Sequence, residues 1–314
     1  MNASATITSR TVIPSDGEAS RTRTDCHVVP LVPDKLYALQ CIVPLDGRVA
    51  AFPQSAEGYA PINCYLLKQG DHAMMLDTGF TAHREAILRA MEQVLGRNAT
   101  VTLFPLRMNE FMSLCNAMAI ADRFHVDCCI SVLRDAAFWV DLESIDATDV
   151  LSANTRLNTI LIAGDETLQV GHENPRPIRL YQSPVRLIAT RWVHDPETKT
   201  LFTSDMFSGL HGATLDEDWT VDDPAEDRTT VEDMTRFLLG TRYWWLEGAT
   251  TDELRRGLGK VFDACDVTTL APGYGKIIRG RTLVERHFAM LDETLRRLDR
   301  QYMPPRYIDR DVVR

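Results

Sequence analysis

The 314 residues include 34 Lys plus Arg against 44 Asp plus Glu, a formal net charge of −10, and 45% of them are hydrophobic. This is a globular composition with enough apolar mass for a sizeable core, in a chain long enough for two average domains or one large layered α/β unit. The acidic balance argues against general binding to nucleic acid or to an anionic membrane surface.

The first 25 residues are rich in Ser, Thr and Arg, with no apolar run of signal-peptide length, and no stretch of about 18 apolar residues occurs anywhere. A soluble, cytoplasmic protein is expected, with residues 1–30 as a polar N-terminal extension and 31–314 as a single domain that ends in a closing helix. The seven cysteines are odd in number and include no CxxC pair. Buried free thiols are expected rather than a disulfide framework or a structural zinc site.

Tyr37 to Val43 and Asn63 to Leu67 alternate apolar and polar residues as strands do, and Ala73 to Asp77 is a short apolar run that meets a turn at Thr78-Gly79. Apolar residues at helical spacing predict a helix from Ala82 to Leu95, stopped by Gly96-Arg97-Asn98. Val101 to Leu106 reads as another strand and Ser113 to Phe124 as a helix, an order that indicates a layered α/β unit. Further on, Arg186 to Val193 and Thr200 to Thr203 flank the turn Asp195-Pro196-Glu197-Thr198, a hairpin signature. Leu215 to Asp227 is a solvated acidic loop, Thr230 to Leu239 and Thr251 to Cys265 are helices, Val267 to Ala271 is a last inner strand, and Leu283 to Tyr302 is an amphipathic helix.

Four segments, in order, resemble the metallo-β-lactamase superfamily and in particular its flavodiiron-like branch. Asn63-Cys64-Tyr65-Leu66-Leu67 with Met75-Leu76-Asp77-Thr78-Gly79 looks like the opening NxYL and liDTG strands. Leu201-Phe202-Thr203-Ser204-Asp205-Met206-Phe207 looks like LFxxDxF, with His211 near a further family histidine, and Ala271-Pro272-Gly273-Tyr274-Gly275 looks like the late APxHG loop. The resemblance implies an αββα sandwich with a site at one edge, in which Asp77 braces the site loop from behind.

The chemistry departs from the family. Where relatives carry HxHxDH or HxExDHxGN, this chain reads Arg107-Met108-Asn109-Glu110-Phe111-Met112-Ser113-Leu114-Cys115-Asn116. Aligned on the Glu and the trailing Asn, Met108 takes the first His position, Glu110 the Glu, Met112 the Asp and Ser113 the second His; a register one residue earlier puts Arg107, Asn109, Phe111 and Met112 there and matches no ligand, so the first is preferred. The next family ligand, 19 residues before Asp205, falls on Arg186, and the last becomes Tyr274. Of the usual ligands only Glu110 and Asp205 remain, and Met, Ser and Arg are poor replacements for imidazole. No dinuclear metal centre is expected; an atypical single iron or zinc stays open.

Arg107 and Arg186 would balance the two carboxylates in place of metal, leaving a pocket with Ser113, His211 and Tyr274 that suits a polar or anionic small molecule. The leading expectation is an enzyme that uses Glu110 or Asp205 for acid–base work. A non-catalytic ligand- or partner-binding module, and an iron oxidoreductase with an atypical site, are the alternatives. Against the last, the 40 residues after Tyr274 are too few for a flavodoxin-like domain. A homo-oligomer is left open. His172 and His194 are expected in exposed loops, Cys128 and Cys129 as buried thiols on opposite faces of a strand, and Tyr243-Trp244-Trp245 fits either a pocket wall or the core.

Overall fold

The computed structural model describes residues 11–13, 25–133 and 157–300, the first of these by backbone alone. Among them two sheets face each other. The first contains β1 (Thr11–Ile13), β2 (Cys26–Val32), β3 (Leu36–Pro44), β4 (Tyr59–Gln69), β5 (His72–Leu76), β6 (Thr100–Phe104), β7 (His125–Ser131) and β8 (Thr159–Leu161) in spatial order. Its pairs are antiparallel from β1 to β5 and parallel from β5 to β8. The second contains β9 (Thr167–Val170), β10 (Arg176–Gln182), β11 (Arg191–Asp195), β12 (Thr200–Ser204), β13 (Thr220–Val221), β14 (Thr269–Pro272) and β15 (Ile277–Arg279), in the spatial order β13-β15-β14-β12-β11-β10-β9.

The central strands are apolar on both faces, as a sheet covered on both sides requires. Along β4, Tyr65 and Leu67 point between the sheets, where they join Met74, Phe104, Val193 and Phe202. Their neighbours Cys64 and Leu66 point outward, against α1 (Arg84–Leu95) and α3 (Ala117–Arg123). In the second sheet Phe202 and Ala271 face inward, while Leu201 and Leu270 face α4 (Val231–Leu239), α5 (Asp252–Ala264) and α6 (Arg281–Leu298). Three apolar layers between four layers of secondary structure make the αββα sandwich. No helix among the described residues is long and apolar enough to cross a membrane.

Most predicted elements stand within a residue or two of their expected bounds, and the departures have physical reasons. Residues 26–30, grouped with the polar extension, are strand: Cys26 to Pro30 pair with Cys41 to Tyr37, and Cys26 and Val28 are buried. The expected helix over 113–124 is two pieces, α2 (Phe111–Leu114) and α3, because the Asn116 amide between them turns back to donate to the carbonyls of Thr78, Gly79 and Phe80. The strand expected from Arg186 begins only at Arg191, and the preceding strand is β10. His194, expected in an exposed hairpin, is buried on β11 with its ring 3.4 Å from the Asp266 carbonyl. Cys128 and Cys129 do lie on opposite faces of β7, as free thiols.

The acidic loop before α4 ends in a buried exception. Asp227 accepts from His287 Nε2 on α6 at 2.9 Å and from the Thr229 amide at 3.0 Å, while Arg286 donates to the Asp227 carbonyl. Burial pushes the Asp227 carboxyl up, but the hydrogen bonds from His287 and Thr229 outweigh it and hold it below the ordinary carboxylate range. A carboxyl depressed on folding adds stability that is complete above its unfolded value of about 4 and is lost as the pH falls toward the lowered folded value. Asp227→Asn is therefore expected to be destabilised at pH 7 by about 1–3 kcal/mol, and to lose less stability than the parent between about pH 5 and pH 3, as read by urea unfolding.

Candidate active site

β5 and β6 run parallel, as do β12 and β14, so their carboxyl ends and the loops that follow meet at one edge of the sandwich. The two sheets are stitched there: the Arg191 amide donates to the Leu106 carbonyl at 3.0 Å, and Asn63 Nδ2 donates to the carbonyls of Pro272 (2.9 Å) and Gly275 (2.8 Å). Three residues at this edge, Asp77 (φ 59°), Ser204 (φ 56°) and Phe207 (φ 62°), hold the left-handed conformation that side chains other than glycine seldom adopt. Such strain concentrates where surrounding contacts over-determine a site.

Asp77 anchors one side of this edge by accepting the Leu106 amide at 2.8 Å. The turn that follows, closed by the Glu110 amide on the Arg107 carbonyl, swings Arg107 into the centre. Arg107 is fully buried, and its guanidinium pairs with Asp205, lies 3.6 Å from Asp77 and 3.4 Å from Glu110, and donates to Met112 Sδ at 3.0 Å. Burial works against its charge, but the surrounding carboxylates outweigh that cost and raise its pKa well above the ordinary value. A second cation, Arg242, comes from the turn after α4 and donates to Asp205 at 2.8 Å, with Glu110 Oε1 at 3.5 Å. Both guanidinium groups lie over the ring of Tyr274, at 4.9 Å and 5.9 Å from its centroid.

The two carboxylates between these cations are held differently. Asp205 is clamped by both arginines and faces the Tyr243 hydroxyl as well. Glu110 Oε1 accepts from the Tyr274 hydroxyl at 2.8 Å, and burial keeps that phenol protonated far above its ordinary range. Glu110 Oε2 accepts no hydrogen bond. Glu110, Arg242 and Tyr274 form the floor of a cleft of about 460 Å³, walled by apolar residues that include Ile42, Val43, Val49, Phe80 and Phe111. His83 lines it too, and burial lowers the pKa of its ring, which favours the neutral form.

No family model and no curated protein matches the sequence. Solved structures do match. A fragment of a diflavin flavoprotein from Nostoc sp. PCC 7120 superposes with a TM-score of 0.62 at 17% identity, covering 86% of this chain and 96% of the fragment. The rubredoxin oxygen:oxidoreductase of Desulfovibrio gigas gives 0.61 at 12% identity over 86% of this chain, and the flavodiiron protein of Giardia intestinalis 0.60 at 15% over 85%. This chain covers 61% and 59% of those two longer neighbours. The fold is that of the flavodiiron proteins.

Within this fold the structure brings together Asp77, Glu110, Asp205 and Tyr274 at one edge, the convergence their order in the sequence predicts. It corrects the parts assigned to other residues. Arg107, expected to touch substrate, is sealed behind Glu110 with no exposed surface, and it takes the inward place the alignment gave to Met108, which packs in the outer core instead. Arg186 is exposed and bonds the Ser183 carbonyl, away from the cluster, because its strand starts later than expected; Thr190 lies beside Arg107 there. Ser113 is buried beside Asp77 and does not line the cleft. His211 is exposed and lines a neighbouring cavity of about 660 Å³ with Phe52 and Lys276. Tyr243 is core, Trp245 is part-buried and Trp244 is exposed. Sequence reasoning missed Arg242 and His83. Neither lies in a family-like segment.

Removing Arg107 would leave three carboxylates without their central cation. Arg107→Leu is expected to cost about 3–5 kcal/mol, the range for breaking a buried ion pair from one side, as read by denaturant unfolding. Arg107→Lys should recover only part of the loss, since one ammonium cannot reproduce the planar fork.

Proposed function

We propose that the protein is a small-molecule enzyme of the flavodiiron fold in which Glu110 serves as the acid–base residue and the arginine–carboxylate cluster replaces a dinuclear metal centre. The observation that carries this reading is the Glu110 carboxylate, which lines the cleft with Oε1 held by the Tyr274 hydroxyl and Oε2 turned to Arg107 at 3.4 Å without a hydrogen bond. Tyr274 holds Oε1, which fixes the carboxylate plane at the wall of the cleft, where Glu110 takes or returns a proton.

Asp205, the other candidate, is less suited because its Oδ1 accepts from both Arg107 and Arg242 and its buried side chain does not line the cleft. Its part is to place Arg242, which lines the cleft as an anchor for an anionic group or for negative charge that develops during proton transfer. With His83 beside them and apolar walls above, the substrate class that fits is an amphipathic molecule with one polar or anionic end and an apolar body, for reactions such as isomerisation, elimination or hydrolysis.

The names of the neighbours raise the alternative of an iron oxidoreductase, and the donor set here does not suit a dinuclear centre. A guanidinium occupies the space between Asp77, Glu110 and Asp205, a thioether and a hydroxyl stand at Met112 and Ser113, and a protonated phenol stands at Tyr274. None supplies the imidazole donors such centres draw on.

The test pairs metal analysis with a variant. Protein purified without a metal-scavenging tag is expected to hold less than one iron or zinc per chain in the arginine–carboxylate cluster; two per chain, lost in Asp205→Asn, would overturn the reading. A thermal-shift screen of small amphipathic carboxylates is expected to find a ligand, which at 100 times its dissociation constant raises stability by about 2.7 kcal/mol. Glu110→Gln should then keep the fold and lose about 10²–10⁴ in turnover. Ligand binding without turnover in the parent would favour a binding module instead.

A further inference from the structure

At the opposite ends of the same strands the structure gathers a different set of donors. His72 opens β5, Asp127 lies on β7, and His172 follows β9 in the second sheet. Their ligating atoms all lie within 4.8 Å of one another. Asp127 Oδ2 is 3.5 Å from His172 Nε2 and 4.0 Å from His72 Nε2, and the two imidazoles meet edge to face with centroids 4.8 Å apart. We infer that His72, Asp127 and His172 form a binding site for one divalent transition metal, of the Zn²⁺ or Co²⁺ class, that clips the two sheets together.

The chemistry of the set supports that class. Two imidazoles and one carboxylate suit a borderline cation, and donors bound at about 2.0–2.2 Å in a tetrahedron stand about 3.3–3.6 Å apart. The Asp127–His172 separation already falls in that range, Asp127–His72 is a few tenths of an ångström longer, and the set as a whole, within 4.8 Å, contracts by up to about an ångström on binding. Thr102 supplies support from behind: its Oγ1 lies 2.9 Å from His72 Nε2 and 2.9 Å from Asp127 Oδ1. One hydroxyl proton serves the carboxylate, an outer contact that steadies a ligand in many metal sites. Freeing Nε2 for a metal moves the ring proton to the buried, unpartnered Nδ1 and exchanges the His72 Nε2–H···Thr102 Oγ1 hydrogen bond for the metal bond.

The loop that carries His172 is held over the cluster by backbone chemistry. Gly171 sits at φ +84°, and a Cβ there would fall 2.9 Å from Gln69 Cγ, so glycine lets the loop lie flat on the end of β4. Gln69 Nε2 then donates to the Asn174 carbonyl at 2.8 Å. Two ligands from the first sheet and one from the second make the metal a cross-link between sheets, with open positions for water on the exposed His172 side.

The experiment titrates Co²⁺ into untagged, full-length protein and follows the visible ligand-field bands, then repeats thermal unfolding with Zn²⁺. The parent is expected to bind one Co²⁺ per chain and to melt several degrees higher with Zn²⁺. His172→Ala, an exposed loop substitution, and Asp127→Asn should each weaken Co²⁺ binding by at least about tenfold and lose the Zn²⁺ shift, while His125→Ala, a surface histidine on the same strand, should keep both. Circular dichroism confirms that each variant is folded. No Co²⁺ uptake by the parent, or equal uptake by the parent and His172→Ala, overturns the proposal. Neither result touches the reading of Glu110, which rests on the other edge.

Discussion

A buried guanidinium holds the candidate-site edge of this sandwich together. Arg107 leaves water completely, and a cation does that only where opposite charge surrounds it. Asp77, Glu110 and Asp205 come from three separate segments, after β5, after β6 and after β12, and their mutual repulsion would push those loops apart without a cation between them. With Arg242 the cluster counts two positive charges against three negative ones. The loops at this edge, the strained left-handed residues among them, are thus organised around an electrostatic centre that the chain itself supplies.

A frame of uncharged polar side chains lets that centre form. Asn63 ties β4 to the loop after β14, the Tyr65 hydroxyl donates to the Pro272 carbonyl at 2.6 Å, and Asn116 caps three successive carbonyls after Asp77. These groups set the height and tilt of the loops before any charge is placed. These bracing groups hold the loops independently of the donors that face the centre.

The same division decides what could be read in the sequence. Strands buried on both faces leave long apolar runs, and bracing residues such as Asn63, Asp77 and Asn116 sit inside short segments with fixed spacing, so fold and edge were both legible. The inward place of Arg107 was not, because the turn between Arg107 and Glu110 rotates the chain by one residue relative to the spacing that put Met108 there. Arg242 and His83 lie in a turn after α4 and in the short helix before α1, where side-chain direction follows from packing and leaves no periodic trace. Arg186 was misplaced for the opposite reason, since counting residues back from Asp205 assumes a loop length that the late start of β11 does not honour.

On the proposed reading, an arginine at this centre also changes what the edge can do. A guanidinium has fixed donors and a fixed charge, it exchanges no ligands, and it gives up no proton in the working range. Asp205 is bound to that inert partner and becomes part of the scaffold. Glu110 is not, because Arg107 reaches Oε2 only at 3.4 Å without a hydrogen bond and Tyr274 takes Oε1. On the proposed reading the chemistry therefore passes from the centre of the cluster to its rim, where Glu110 and Arg242 line the cleft together.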